Sequence, residues 1–193
     1  MMGNDVATMA EGRPDVPMRV RVLRAALVTA VLLAWPVHAL VGAISDRYMF
    51  ALNLTESLPE RVFWVERVED QGDPAMRSII EDLGFGDRIA FFVGEGARDH
   101  YRPETVFVKE VRGVAGQKVT VDEGRIVHID GQPVATAKPE SRMGIPLDVA
   151  EEGVIPNGKV FVMGSHEDSY DSRYADVGLV DYSRLIGTVR FQF

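Results

Sequence analysis

Apolar positions along this chain fall into two regimes. From Val22 to Ile44 they are nearly continuous, interrupted mainly by Arg24, Thr29, Pro36 and His38. That length is close to the ~20 residues that cross a bilayer as a helix. Arg24 stands at the start, where its side chain can snorkel to the headgroups, and Pro36 predicts a kink. Downstream the apolar residues come in short runs between turn residues. They predict strands over 48–54, 61–68, 87–93, 105–111, 116–121, 126–129, 159–163 and 185–193. Asp130-Gly131-Gln132-Pro133 reads as a hairpin turn, 139–156 as an irregular excursion, and 76–83 as a short helix with Pro74 before it and Gly84 at its end. Many short strands separated by turns predict a mostly β, closed or nearly closed domain behind one N-terminal transmembrane helix.

A cleavable signal peptide would carry a shorter apolar stretch of roughly 7–15 residues, so an uncleaved anchor is expected. The division read from the sequence is a disordered tail over 1–19, an anchor over 20–45 and a catalytic domain over 46–193. Arg13, Arg19, Arg21 and Arg24 precede the apolar run, and Asp46 and Arg47 follow it. The excess of arginine before the run puts the N-terminus in the cytoplasm and the rest outside, as a single-pass protein. A net charge of −8 argues against a nucleic-acid partner. With no cysteine there is neither a disulfide framework nor a thiolate zinc site. No metal or other cofactor is expected.

Three segments can carry chemistry. Asn53-Leu54-Thr55-Glu56-Ser57-Leu58-Pro59 puts a serine in a tight turn just past the apolar segment. A serine hydroxyl is a poor nucleophile until a base takes its proton. The histidines offer little: His38 is in the apolar run, His100 in a loop, His128 in a hairpin, and His166 alone stands near a motif. A lysine can serve if it is neutral. Its ordinary pKa is about 10.4, and burial lowers it by disfavouring the charged form. Lys109 sits inside the apolar run Val106-Phe107-Val108-Lys109-Glu110-Val111, which suits that demand. An outward-facing lysine on a half-buried strand is the bland alternative. The third segment is Gly164-Ser165-His166-Glu167-Asp168-Ser169-Tyr170-Asp171-Ser172-Arg173.

In this order the three segments resemble the type I signal peptidase family of serine/lysine peptidases, in its conjugative-transfer (TraF-like) branch. Asn53, Thr55, Ser57 and Pro59 match the nucleophile box. Val108 to Gly116 match the lysine box, and Ser169-Tyr170-Asp171-Ser172-Arg173 the last box, with Gly178 and Ile186-Gly187 after it. The resemblance covers Leu52 to the C-terminus. It implies that Ser57 is the nucleophile and Lys109 the general base. It further implies an oxyanion hole from the Ser57 N–H and the Thr55 hydroxyl, a lysine-orienting Ser169, and structural roles for Pro59, Asp171 and Arg173. His166 and Asp168 match nothing in the family pattern and are expected to be solvated loop residues.

The resemblance also implies a function. It is a membrane-anchored serine endopeptidase that cleaves exported precursors after small residues, most simply a pilin precursor or another protein of a conjugative transfer system. The implied partners are that precursor, the lipid bilayer and a conjugation or secretion apparatus. A general type I signal peptidase and a non-catalytic anchored component of such an apparatus remain the alternatives.

Overall fold

The structure is a computed structural model, and it describes residues 17–53, 57–68, 78, 80–97, 101–102 and 104–193. The expected tail over 1–16, Thr55, and most of the 69–79 stretch lie outside the described residues. Two compact units divide at Ala43 and Ile44.

The first unit is dominated by helix α1, Met18–Arg47, 30 residues long with Pro36 inside it. Thirty residues at 1.5 Å each span about 45 Å, more than the ~30 Å hydrocarbon core of a bilayer. Its most apolar 18-residue window has a mean hydropathy of 2.0. None of its residues is buried. A helix of this length and hydropathy fits a membrane anchor or a signal sequence.

The second unit is mostly β. Its strands are β1 (Tyr48–Leu52), β2 (Val62–Arg67), β3 (Arg88–Phe92), β4 (Val106–Gly113), β5 (Lys118–Val121) and β6 (Ile126–Ile129). They continue with β7 (Gln132–Thr136), β8 (Gly153–Val154), β9 (Lys159–Met163), β10 (Val180–Asp181) and β11 (Leu185–Gln192). A seven-stranded sheet runs in the order β1-β2-β11-β3-β4-β9-β10, and a four-stranded sheet in the order β7-β6-β5-β8. Every pairing is antiparallel. The C-terminal strand β11 lies in the middle of the large sheet, between β2 and β3. It comes close to β2 at Gly187, where a Cβ would fall 2.8 Å from the Glu66 carbonyl carbon.

Three differences from the sequence reading have local causes. The turn after β6 is only Asp130-Gly131, both at positive φ (50° and 77°). Gln132 and Pro133 already belong to β7, which is an edge strand and so tolerates a proline. The 139–156 excursion contributes β8, and β10 has no counterpart among the expected strands. Both are two residues long and exist because β5 and β9 offer them a free edge.

Three apolar clusters fill the second unit. One, formed by Val119, Val127, Ile129, Ile155, Phe161 and Tyr174 with their neighbours, sits under the small sheet. A second gathers Ile89, Phe91, Val111, Val160, Val162 and Val180. The third, Ala51, Leu58, Phe63, Val65 and Ala90, underlies the end of β1. Leu58 belongs to the turn after β1 and is only 2% exposed. Its side chain therefore pins the Ser57 turn to the core.

Candidate active site

Alternation along β4 puts Phe107, Lys109 and Val111 on one face, because successive strand residues point to opposite sides. Lys109 stands opposite Ile89 of β3 and is 3% exposed. It thus occupies a core position. Its Nζ donates a hydrogen bond to the Ser169 hydroxyl at 2.8 Å and lies 5.3 Å from the centre of the Phe107 ring. Burial pulls the Lys109 pKa down from 10.5 to about 8, against the opposing pull of the Asp171 carboxylate and with a smaller push from the Arg173 guanidinium. The Phe107 ring favours the cation, but burial outweighs it.

Ser169 is held by the residues just after it. Arg173 Nε and Nη2 donate to the two carboxylate oxygens of Asp171 at 2.8 and 2.9 Å, and both residues are buried. The same guanidinium donates to the Ser169 carbonyl at 2.7 Å and to the His166 and Glu167 carbonyls at 3.2 and 3.1 Å. One side chain therefore folds the whole 166–169 loop around itself. Asp171 also accepts the Gly164 N–H at 2.9 Å. Such an arrangement, a paired charge with its remaining donors satisfied, is what makes a buried ion pair tolerable.

The Ser57 turn docks on this loop. The Ser57 carbonyl accepts from the His166 N–H at 3.3 Å and from the Ser165 hydroxyl at 3.4 Å. Gly164 lies between them: a Cβ there would fall 2.6 Å from the Ser57 carbonyl oxygen and would overlap the Ser169 hydroxyl. Only glycine lets the two segments approach this closely. Ser57, Lys109 and Ser169 line one cleft of about 870 Å³. Residues 49–53 and 105–109 line it, together with Tyr101 and Tyr170, whose rings stack 5.6 Å apart.

The other sequence-expected positions are scattered around this cleft. Pro59 is exposed in the turn. Thr55 lies outside the described residues. His166 and Asp168 differ from the expectation of solvated loop residues, since both line the cleft. Asp168 is a half-buried acceptor for Lys138 and for Arg142, the latter at 2.7 Å. Hydrogen bonds from Lys138 and then Arg142 hold its pKa down at about 2. The partners sit about thirty residues upstream, so nothing local in the sequence announces the cluster. Asn53 enters the sequence pattern only as a motif letter, yet its side chain donates to the Leu58 carbonyl at 2.9 Å and to the Glu60 carbonyl at 3.0 Å.

Residues 19–193 match the family described as signal peptidase, peptidase S26. The chain belongs to the signal peptidase S26 family. It is 30% identical over 154 residues to a probable conjugal transfer protein TraF of Sinorhizobium fredii, covering 74% of this chain and 78% of that protein. It is 33% identical over 122 residues to signal peptidase I T of Bacillus subtilis, covering 59% and 58% of the two chains. A conjugal transfer protein TraF of Agrobacterium fabrum is 38% identical over 85 residues, 43% of this chain and 46% of that one. Membership in the S26 family gives the chain a serine-peptidase class and agrees with its mostly β fold behind one apolar helix. S26 peptidases are membrane-anchored, which α1 fits.

Proposed function

We propose that the chain is a membrane-anchored endopeptidase with a Ser57/Lys109 dyad that processes an exported precursor protein of a conjugative transfer system. The observation that carries this reading is Lys109, buried, hydrogen-bonded to Ser169 and depressed to a pKa of about 8, on the same cleft as Ser57. With that pKa about a tenth of the lysine is neutral at pH 7, enough to serve as a general base.

In this mechanism a peptide lies extended between β1 and β4. Two backbone edges support the pose. β1 pairs only with β2 among the described strands, and β9 covers β4 only over Glu110–Gly113, leaving Val106–Val108 without a strand on that side. A strand added there gains main-chain hydrogen bonds, and side-chain pockets supply selectivity. Ser57 Oγ attacks the scissile carbonyl carbon while Lys109 takes its proton. The oxyanion is stabilised by the Ser57 N–H and the Thr55 hydroxyl, where one donor is worth ~10²–10³ in rate. Lys109 then protonates the leaving amine, and the acyl–Ser57 ester forms. Water, deprotonated by Lys109, releases the acid and restores Ser57. Attack by the substrate's own amine would release a ring instead.

Conjugal-transfer relatives favour a transfer-system substrate such as a pilin precursor, and the Bacillus relative favours a general signal-peptide substrate. Intact mass of a co-expressed precursor separates them. The wild type is expected to convert the pilin precursor, and Ser57→Ala and Lys109→Ala to leave it whole. A product lighter than the linear one by one water marks cyclisation. Conversion of a small-x-small signal-peptide substrate alone would overturn the transfer-system assignment, and conversion by the Ser57→Ala variant would overturn the dyad.

A further inference from the structure

The described part of the turn that carries Ser57, residues 57–61, lies in no helix or strand, and its ends must be held by something. Its base is closed by the Asn53 N–H donating to the Arg61 carbonyl at 2.8 Å. Its far side is held through Asn53 Nδ2, which donates to both the Leu58 and Glu60 carbonyls. One side-chain amide thus bridges the end of β1 to both sides of Pro59. Leu58 is sunk in the core, and the Ser57 carbonyl is docked on the 165–166 loop. Among these contacts the amide bridge is the one that ties the carbonyls on both sides of Pro59 to the end of β1.

We infer that Asn53 is a positioning residue for the nucleophile, fixing the turn so that Ser57 Oγ faces the Lys109 side of the cleft. The inference rests on the proposed Ser/Lys reading. Its chemistry is specific. Two carbonyl oxygens can share one side chain only if it brings two N–H donors on a short stem. An aspartate has the same shape but only acceptors, so it would set its oxygens against the two carbonyls. An alanine leaves both carbonyls to water. A glutamine carries the donors one methylene too far.

The test uses the full-length protein in detergent or nanodiscs, with wild type, Ser57→Ala, Asn53→Ala and Asn53→Asp side by side. Two readouts are taken: turnover of the precursor substrate, and hydrogen exchange of the backbone amides over 57–62. Both Asn53 variants are expected to lose ~10²-fold in kcat, the scale of a misplaced reacting group, with KM little changed. In Asn53→Ala the rising pH limb set by Lys109 should stay where it is. Amides of 57–62 should exchange faster while β3, β4 and β9 keep their protection. Asn53→Asp is the decisive variant, since it keeps the side-chain shape and replaces the donors with acceptors; wild-type turnover in it overturns the inference. So does unchanged exchange over 57–62, a shift of the pH limb in Asn53→Ala, or a general loss of protection with a lowered unfolding midpoint. If wild type and Ser57→Ala are equally inactive, the peptidase reading fails. The exchange data still decide whether Asn53 orders the turn.

Discussion

Lys109 Nζ and the Ser169 hydroxyl, sixty positions apart in the chain, meet at 2.8 Å inside a pocket that leaves each of them 3% exposed. A lysine in that setting is costly when charged and useful when neutral, and this sets the sign of the pH dependence. Activity as kcat/KM should rise with pH through an apparent pKa near 8, the value burial gives Lys109, because that ratio reports the free enzyme's essential base. A flat profile between pH 6 and 9 would rule out Lys109 as the base. Lys109→Arg should be inactive, since a guanidinium does not deprotonate in proteins.

The same residue should weaken the fold. Below pH about 8 the folded state must hold a buried cation, and the penalty is released as pH rises from about 8 towards 10.5, where the unfolded chain also loses its proton. Lys109→Met should therefore raise the unfolding midpoint at pH 6–7, by up to about 3 kcal/mol of stability, while abolishing turnover. Denaturant melts at pH 6 and pH 10 check it: the advantage should shrink at the higher pH.

Ser169→Ala removes the acceptor that aims the lysine. Turnover is expected to fall by ~10²-fold, with a loss of about 1–3 kcal/mol of stability, since the buried amine loses its acceptor. Single-turnover kinetics would show the loss in the acylation step.

Gly164→Ala places a methyl group 2.6 Å from the Ser57 carbonyl oxygen and into the Ser169 hydroxyl. Overpacking of this kind costs about 1–3 kcal/mol, and both sides of the site must move to relieve it. Activity should be lost well before the fold is, as seen by comparing kcat with the thermal midpoint.

Asp171→Asn leaves the Arg173 guanidinium buried without its counter-charge. Breaking a buried pair from one side costs about 3–5 kcal/mol. The expected result is a large drop in unfolding midpoint. Asp168→Asn, at the half-exposed Lys138–Arg142 cluster, should leave the pH limb near 8 in place. A comparably large drop in melting there would mean that the cluster supports the fold more than its exposure implies.

Much of the large sheet is legible in the sequence as short apolar runs between turn residues, and Lys109 stands in one of them, but nothing local decides which way that lysine faces. The two-residue strands β8 and β10 have no local signal; only a long-range partner makes them strands. Arg173 can be read as an ion-pair partner of Asp171, two residues away. Its grip on the His166, Glu167 and Ser169 carbonyls cannot, since main-chain acceptors leave no mark in side-chain identity. Asp168 escapes a local reading for a related reason: its cations come from another loop. Asn53 carries its signal in plain view as a motif letter, but a side-chain-to-carbonyl bridge needs the closed turn before it has a meaning.

Among the described residues no strand pairs with the outer edge of β1, and this bears on timing. An edge that accepts an extended chain can engage a stretch of polypeptide only while that stretch is free of its own sheet or helix. A folded protein, even one carrying the right small residues, presents no such strand. On the proposed reading, discrimination operates on when a chain arrives as well as on what it spells: a precursor would have to reach the cleft before it folds.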